Sequence, residues 1–184
     1  MGRLLAACVV SSLHPDAGTV GTTTIDKRAV DGPVKVGARG LYADLQADRK
    51  HHGGDERAVY AYAVEDAEWW EEQLGREIPP GLFGENLRVE GLEVSNAVVG
   101  TRWRIGAGEG AVELEVTGPR TPCMTFARWM GEEDRGWVKR FSDARRLGAY
   151  FKVVRPGRVQ SGDEIAVVHV PEDAPTVLDI YRGP

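Results

Sequence analysis

The run Val112-Glu113-Leu114-Glu115-Val116-Thr117-Gly118-Pro119-Arg120-Thr121-Pro122-Cys123 carries most of what the chain discloses about its fold. Apolar and acidic residues alternate strictly from Val112 to Val116, the period of two expected of a strand with one buried and one wet face. Gly118-Pro119 ends that strand, and two prolines then stiffen a loop that closes on a cysteine. Working outward, 23 glycines and 10 prolines cut the chain into short segments of the same kind. Strands are predicted over 4–10, 20–25, 33–36, 58–63, 86–89, 102–105, 112–117, 149–154 and 164–170. Two helices interrupt them. In 64–74, Ala67, Trp70 and Leu74 share a face and Gly75 stands where a C-cap would. The second runs over 125–141, with breaks expected at Gly131 and Gly136. Pro156-Gly157 and Gly162-Asp163 bracket a short extended piece, the kind of connection that small barrels use between their last strands. The tail, 171–184, is expected to pack outside the core or to pair as an edge. No repeat, low-complexity tract or linker divides the sequence, so 1–184 reads as one domain with its core over 4–170.

Composition narrows the partners. Hydrophobic residues make up 42% of 184, enough for a core without staples, and the net charge of −5 argues against nucleic acid. Lys139-Arg140 and Arg145-Arg146 are offset by Glu132, Glu133, Asp134 and Asp143, the pattern of a solvated helix face. Two cysteines make no disulfide framework. The opening Met1–Val10 has too short an apolar stretch for a leader and reads as a first strand. No segment approaches the ~20 apolar residues that span a bilayer. A reducing cytoplasm is the expected compartment.

Three stretches carry candidate chemistry. His51-His52-Gly53-Gly54-Asp55 combines paired glycines, which let backbone amides approach an anion, with a histidine and an aspartate able to hold or protonate a ligand. A tight turn with locally bonded side chains explains the same residues. Two histidines without a second ligand cluster do not make a zinc site. Phe83-Gly84-Glu85-Asn86-Leu87 sets a carboxylate and an amide at a strand entry. Asn86 there either offers a donor and an acceptor to a heterocycle or closes an Asx-type turn. Cys123 lies at a strand end, beside Arg120 and a helix start, conditions that favour a thiolate able to attack or to ligate a soft metal. A small buried hydrophobe is the other reading, and the one that suits Cys8 within its apolar strand. There is no dinucleotide fingerprint, Walker loop or Gly-x-Ser-x-Gly elbow, and no lysine in a setting that indicates built-in pyridoxal phosphate.

Taken in order, these pieces resemble the MOSC domain, named for the C-terminal domain of molybdenum cofactor sulfurases. The matching blocks are Gly40-Leu41-Tyr42-Ala43-Asp44, with Asp48 leading to His52-Gly53-Gly54 and Ala58-Val59-Tyr60, then Phe83-Gly84-Glu85-Asn86-Leu87 and Gly100-x-x-Trp103. Pro119-Arg120-x-Pro122-Cys123, Gly148-Ala149-Tyr150, Pro156-Gly157 and Gly162-Asp163 complete the set. Ala43 departs from the glycine usual before that aspartate. The chain is similar to a small stand-alone bacterial member. The resemblance implies a mainly β (α+β) fold, a mixed closed β-barrel of short strands with a few peripheral helices, carrying a molybdenum cofactor of the molybdopterin type. It implies that Cys123 ligates molybdenum, in a reductase of N-hydroxylated small molecules (hydroxylamino bases, amidoximes) fed by separate electron-donor proteins. Beside that ligand, Arg120, Thr121, Asn86, Glu85, Gly53 and Gly54 are candidates to hold the cofactor, and His52 or Asp55 to relay protons. Two alternatives stand with it. One is a sulfur carrier with a persulfide on Cys123, served by a cysteine desulfurase; the other is a cofactor-binding module without turnover.

Overall fold

The computed structural model describes residues 1–45, 54–131 and 136–183. The N-terminal part contains β1 (Gly2–Val10), β2 (His14–Pro15), β3 (Thr22–Thr23), β4 (Lys27–Ala29), β5 (Val34–Gly37) and β6 (Gly40–Leu41). β7 (Val59–Ala63), α1 (Val64–Leu74), β8 (Leu87–Glu90), β9 (Arg102–Ile105) and β10 (Val112–Pro119) form the middle. α2 (Met124–Trp129), α3 (Gly136–Ala144), β11 (Ala149–Arg155), β12 (Gly157–Val159), β13 (Glu164–His169) and α4 (Val177–Ile180) complete the chain. Single 3-10 turns occupy Asp55–Arg57 and Gly108–Gly110.

Seven strands close into a barrel in the order β13-β9-β10-β11-β7-β8-β1, and β1 returns to β13 through Gly2↔Ile165 and Arg3↔Glu164. β4 adds to the outer edge of β1. All of the barrel pairings are antiparallel except β7–β8, which is why the barrel is mixed. A parallel pair needs a crossover, and α1 supplies it. The alternation in β10 resolves as expected: Val112, Leu114 and Val116 point into the barrel, while Glu113 and Glu115 face outward. There they meet Arg104 and Arg102 directly across β9, cross-strand pairs that favour this register.

β7 shows why that strand is apolar throughout. Val59, Ala61 and Ala63 line the barrel interior, whereas Tyr60 and Tyr62 face a second core outside the wall. That outer core is aromatic. Trp70 of α1, Phe126 of α2, and Trp137 and Phe141 of α3 converge on Phe83, with ring centroids 5.0–6.5 Å apart. Edge-to-face packing of this kind adds to the gain from buried area. It clamps α2, and so the residue just before it, Cys123, to the barrel.

Several predicted boundaries move. The strand expected over 20–25 shrinks to the two residues of β3, paired with β2, because Gly21 turns with φ 74° and the threonines serve a cleft instead. β2, β4 and β6 were not foreseen, each having two or three residues, too few to show periodicity, whereas β12 falls in the short extended piece expected near the end of the barrel. The described part of the long second helix is two helices, α2 and α3: Gly131 follows α2 with φ 87°, and Gly136 lies within α3 as described. The tail does pack on the barrel. Thr176 caps α4 through a capping box, Val177 is fully buried, and Thr176 bridges Val98.

Ala43, the departure from glycine, stands at φ 69°. Left-handed backbone strains any residue with a Cβ. Ala43→Gly should therefore stabilise the fold by about 0.5–1 kcal/mol after the extra chain entropy of glycine is deducted, raising Tm by about 1–4 °C in a thermal melt.

Candidate active site

A cleft of about 670 Å³ opens at one end of the barrel, between the β2–β3 segment and the loop 120–125. Its walls carry Lys27, Arg57, Arg120 and Arg128 against the single carboxylate of Asp16, among the described residues. Arg128 is paired with Asp16 and Lys27 with Asp44, so the charge that favours an anionic ligand in this otherwise acidic chain centres on Arg120.

Arg120 is 5% exposed and lies on the Phe126 ring, 4.0 Å from guanidinium carbon to centroid, with Tyr60 at 5.8 Å. Its Nη1 is buried and has no hydrogen-bond partner among the described residues. A buried cation with an unfilled donor is costly unless something supplies an acceptor. Three residues on, Cys123 is the N-cap residue of α2, with extended backbone and a partly exposed side chain. Cys8 is its opposite. Fully buried in β1, its thiol is pushed up to about 12 by desolvation and by the nearby Glu85 carboxylate. Cys8 is a core residue.

Asn86 borders the cleft, yet its amide is engaged within the protein. Its Oδ1 accepts from Tyr60 N at 3.1 Å, and its Nδ2 donates to Asp44 Oδ2 at 2.8 Å and to Cys8 O at 3.3 Å. Asp44 in turn accepts from Val10 N at 3.0 Å and from Lys27 Nζ at 2.7 Å. This buried node fixes the cleft floor. Glu85 is fully buried and faces away from the cleft, accepting from Gly81 N, Phe83 N and the Arg88 guanidinium. Thr121 is exposed on the cleft wall. Asp55 is not brought to the cleft: its carboxylate is 80% exposed and approaches Arg39 at 3.9 Å. Gly54 precedes it with φ 92°, on the exposed 3-10 turn. His52 and Gly53 lie outside the described residues.

Residues that sequence reasoning missed make up much of the site. Arg128 reaches across to Asp16 with two parallel bonds, Nε–Oδ1 and Nη2–Oδ2, both 2.8 Å, and Thr125 Oγ1 donates to Asp16 Oδ2 at 2.9 Å. This clamp ties the β2–β3 segment to α2, the helix whose N-cap residue is Cys123. The spacing of Thr125 and Arg128 on one face of α2 was available in the sequence; their partner, 109 and 112 positions away, was not. Below the strap, His14 Nε2 and Ser12 Oγ meet the Asp26 carboxylate at 2.9 and 2.7 Å. Burial opposes ionisation of Asp26, but those bonds and Arg28 outweigh it and hold the carboxyl below its usual range.

The MOSC domain family model matches residues 48–166. Among curated proteins, the chain is 34% identical over 146 residues to the uncharacterized protein YflK of Bacillus subtilis, covering 79% of this chain and 63% of that one. It is 31% identical over 171 residues to a protein named "Reductase" from Gibberella moniliformis, covering 88% of this chain and 28% of that one. Among solved structures it resembles YiiM from Geobacillus stearothermophilus, with a TM-score of 0.76 at 26% identity over 98% of this chain and 82% of that one. The chain thus spans less than two thirds of the length of those two curated relatives. It belongs to the MOSC domain family, and its mixed barrel is the fold seen in YiiM.

Two consequences of the site can be measured. Asn86→Ala strands Tyr60 N and one lone pair of Asp44 in the interior, so unfolding free energy should fall by about 2–4 kcal/mol in a denaturant titration. Asp16 has its carboxyl lowered from 3.8 to about 2, chiefly by the Arg128 hydrogen bonds. A depressed carboxyl contributes its stabilisation above the unfolded value and loses it as pH falls through the folded one. The stability gap between the wild type and Asp16→Asn should be level above pH 4, at about 1–2 kcal/mol, and shrink toward pH 2.

Proposed function

We propose that this chain binds a molybdenum cofactor through Cys123 and reduces N-hydroxylated compounds. The observation that carries this reading is Arg120: a buried guanidinium whose Nη1 has no hydrogen-bond partner among the described residues, in the wall of a cationic cleft that also holds a partly exposed thiol. An oxyanion from a phosphate or pterin edge would fill that donor. The donor set fits as well. Among the described residues, no group of three or more His, Cys, Asp or Glu side chains can hold a metal ion. A lone soft thiolate suits a metal that arrives already chelated by an organic ligand, not a bare ion seeking a protein cage. Membership of the family and the name of the Gibberella relative lend the reductase reading further support.

When bound, the cofactor supplies the two-electron redox chemistry and the oxygen-accepting centre. The chain's own residues bind and orient. Cys123 Sγ serves as the metal ligand, Arg120 balances the ligand's negative charge, and Thr121 and Arg57 flank the cleft mouth, while Lys27 is held by Asp44 in the cleft floor. The Asp16–Arg128–Thr125 clamp limits water entry beside the thiol. The net reaction is R–NH–OH + 2e⁻ + 2H⁺ → R–NH₂ + H₂O, with the electrons delivered by a separate donor protein and the protons by water. Asp55, exposed beside Arg39, is not among the described residues that line the cleft, so no proton is routed through it in this reading.

Metal analysis of protein expressed in a cofactor-competent host should give molybdenum near one equivalent, with loss of more than 90% in Cys123→Ser and no change in Cys8→Ser. A chemical reductant should then support turnover of a hydroxylamino base. Metal-free protein that gains a persulfide on Cys123 would sink the reading in favour of sulfur transfer. Bound molybdenum without turnover would reduce it to a binding module.

A further inference from the structure

Cys123 borders a second cavity. About 1030 Å³ in size, it lies on the far side of Pro122, Cys123 and Met124 from the first cleft, under α3 and the tail. Its walls are apolar where Met124, Val138 and Tyr181 line it, and Tyr181 is held there by a 2.7 Å bond between its hydroxyl and Ser142 Oγ. The rim is cationic. Lys139 is neutralised by Asp143, one turn along α3. Arg145 and Arg182 are not: Arg145 Nη2 donates to Leu178 O at 3.1 Å and Arg182 Nη1 to Asp179 O at 2.6 Å. Carbonyl oxygens orient a guanidinium without cancelling its charge. The nearby Asp179 carboxylate is hydrogen-bonded within the α4 capping box, accepting from Thr176 N and Oγ1 at 2.9 Å each; it feels the charges of Arg145 and Arg182 without direct contact, so one carboxylate faces two guanidinium groups. Arg145 also holds φ 54°, a conformation that costs a non-glycine residue energy yet carries the guanidinium to this rim.

If the first cleft holds the cofactor, a substrate must approach Cys123 from the other side, and this cavity is of small-ligand size. We propose that the second cavity is the substrate site and that its substrate is a planar N-hydroxylated heterocycle bearing a phosphate arm. In this assignment, which rests on the reductase reading, the base lies against Met124 and Tyr181 and the phosphate between Arg145 and Arg182. The preferred substrate is then a nucleotide and not the free base.

The test begins with metal-free protein, so that it does not depend on turnover. Iodoacetamide should alkylate Cys123 and leave Cys8 untouched, which also reports that the fold is intact. Adenosine 5′-monophosphate should protect Cys123 at a concentration at least tenfold below that needed with adenosine or with inorganic phosphate. The Arg145→Gln/Arg182→Gln double variant should lose that advantage, and Arg120→Gln should keep it. Equal protection by nucleoside and nucleotide, or an advantage that follows Arg120 and ignores the two rim arginines, overturns the proposal. In cofactor-loaded protein, KM for the N6-hydroxylated nucleotide should be at least tenfold below that for its nucleoside, and the double variant should erase the difference with kcat unchanged. If loaded protein reduces neither compound while nucleotide protection persists, the reductase reading fails and the phosphate site stands.

Discussion

The amide of Asn86 and the carboxylate of Asp44 hold together parts of the chain that have no other reason to meet. Asn86 lies where the parallel pair β7–β8 begins, and its side chain closes backbone groups of β7 and β1 while handing a third bond to Asp44. Asp44 ties that junction to the end of β1 and to Lys27. Buried polar groups repay their desolvation only when every partner is in place, so this node tolerates few alternative arrangements. The floor of the cleft, the path of β4 and the position of Lys27 all follow from it.

Above that floor the protein separates two kinds of work. The aromatic cluster around Phe83 is a rigid apolar support, and Arg120 lies on its Phe126 ring, so a fixed charge rests on a fixed surface. The strap made by Asp16, Arg128 and Thr125 is polar and shallow, held by one ion pair where the other wall is held by interlocked rings. Cys123 sits between the two, at the seam of two cavities. Its thiol is therefore bordered from both sides, whereas the Cys8 thiol is buried in the barrel wall and raised to about 12.

Much of this was legible beforehand where a local pattern had one physical meaning. The alternation of Val112–Val116 could only be a half-buried strand, and the Gly75 cap and Gly131 break follow from backbone freedom at glycine. Ala43 was conspicuous as a departure from glycine, and its φ of 69° shows what the position asks of the backbone. Glu85 and Asn86 were less readable. A buried carboxylate and amide look the same in sequence whether they serve a ligand or the fold, and here Glu85 is spent on Arg88 and two backbone amides. Local chemistry names a polar group; its partner decides its use.

The sequence by itself determined a mainly β chain of short strands, a family likeness spread over ordered blocks, and one cysteine in a stiff loop set apart from one inside a strand. Each of those rests on neighbours within a few residues, where periodicity, proline and glycine act directly on the backbone. Only the tertiary structure decided that Arg120 is buried with a donor unfilled among the described residues, that Arg128 is paired with Asp16, and that Arg145 and Arg182 rim a second cavity beside Cys123. Those facts depend on which distant groups come to share an interior, and burial and pairing across a hundred residues leave no periodic trace along the chain.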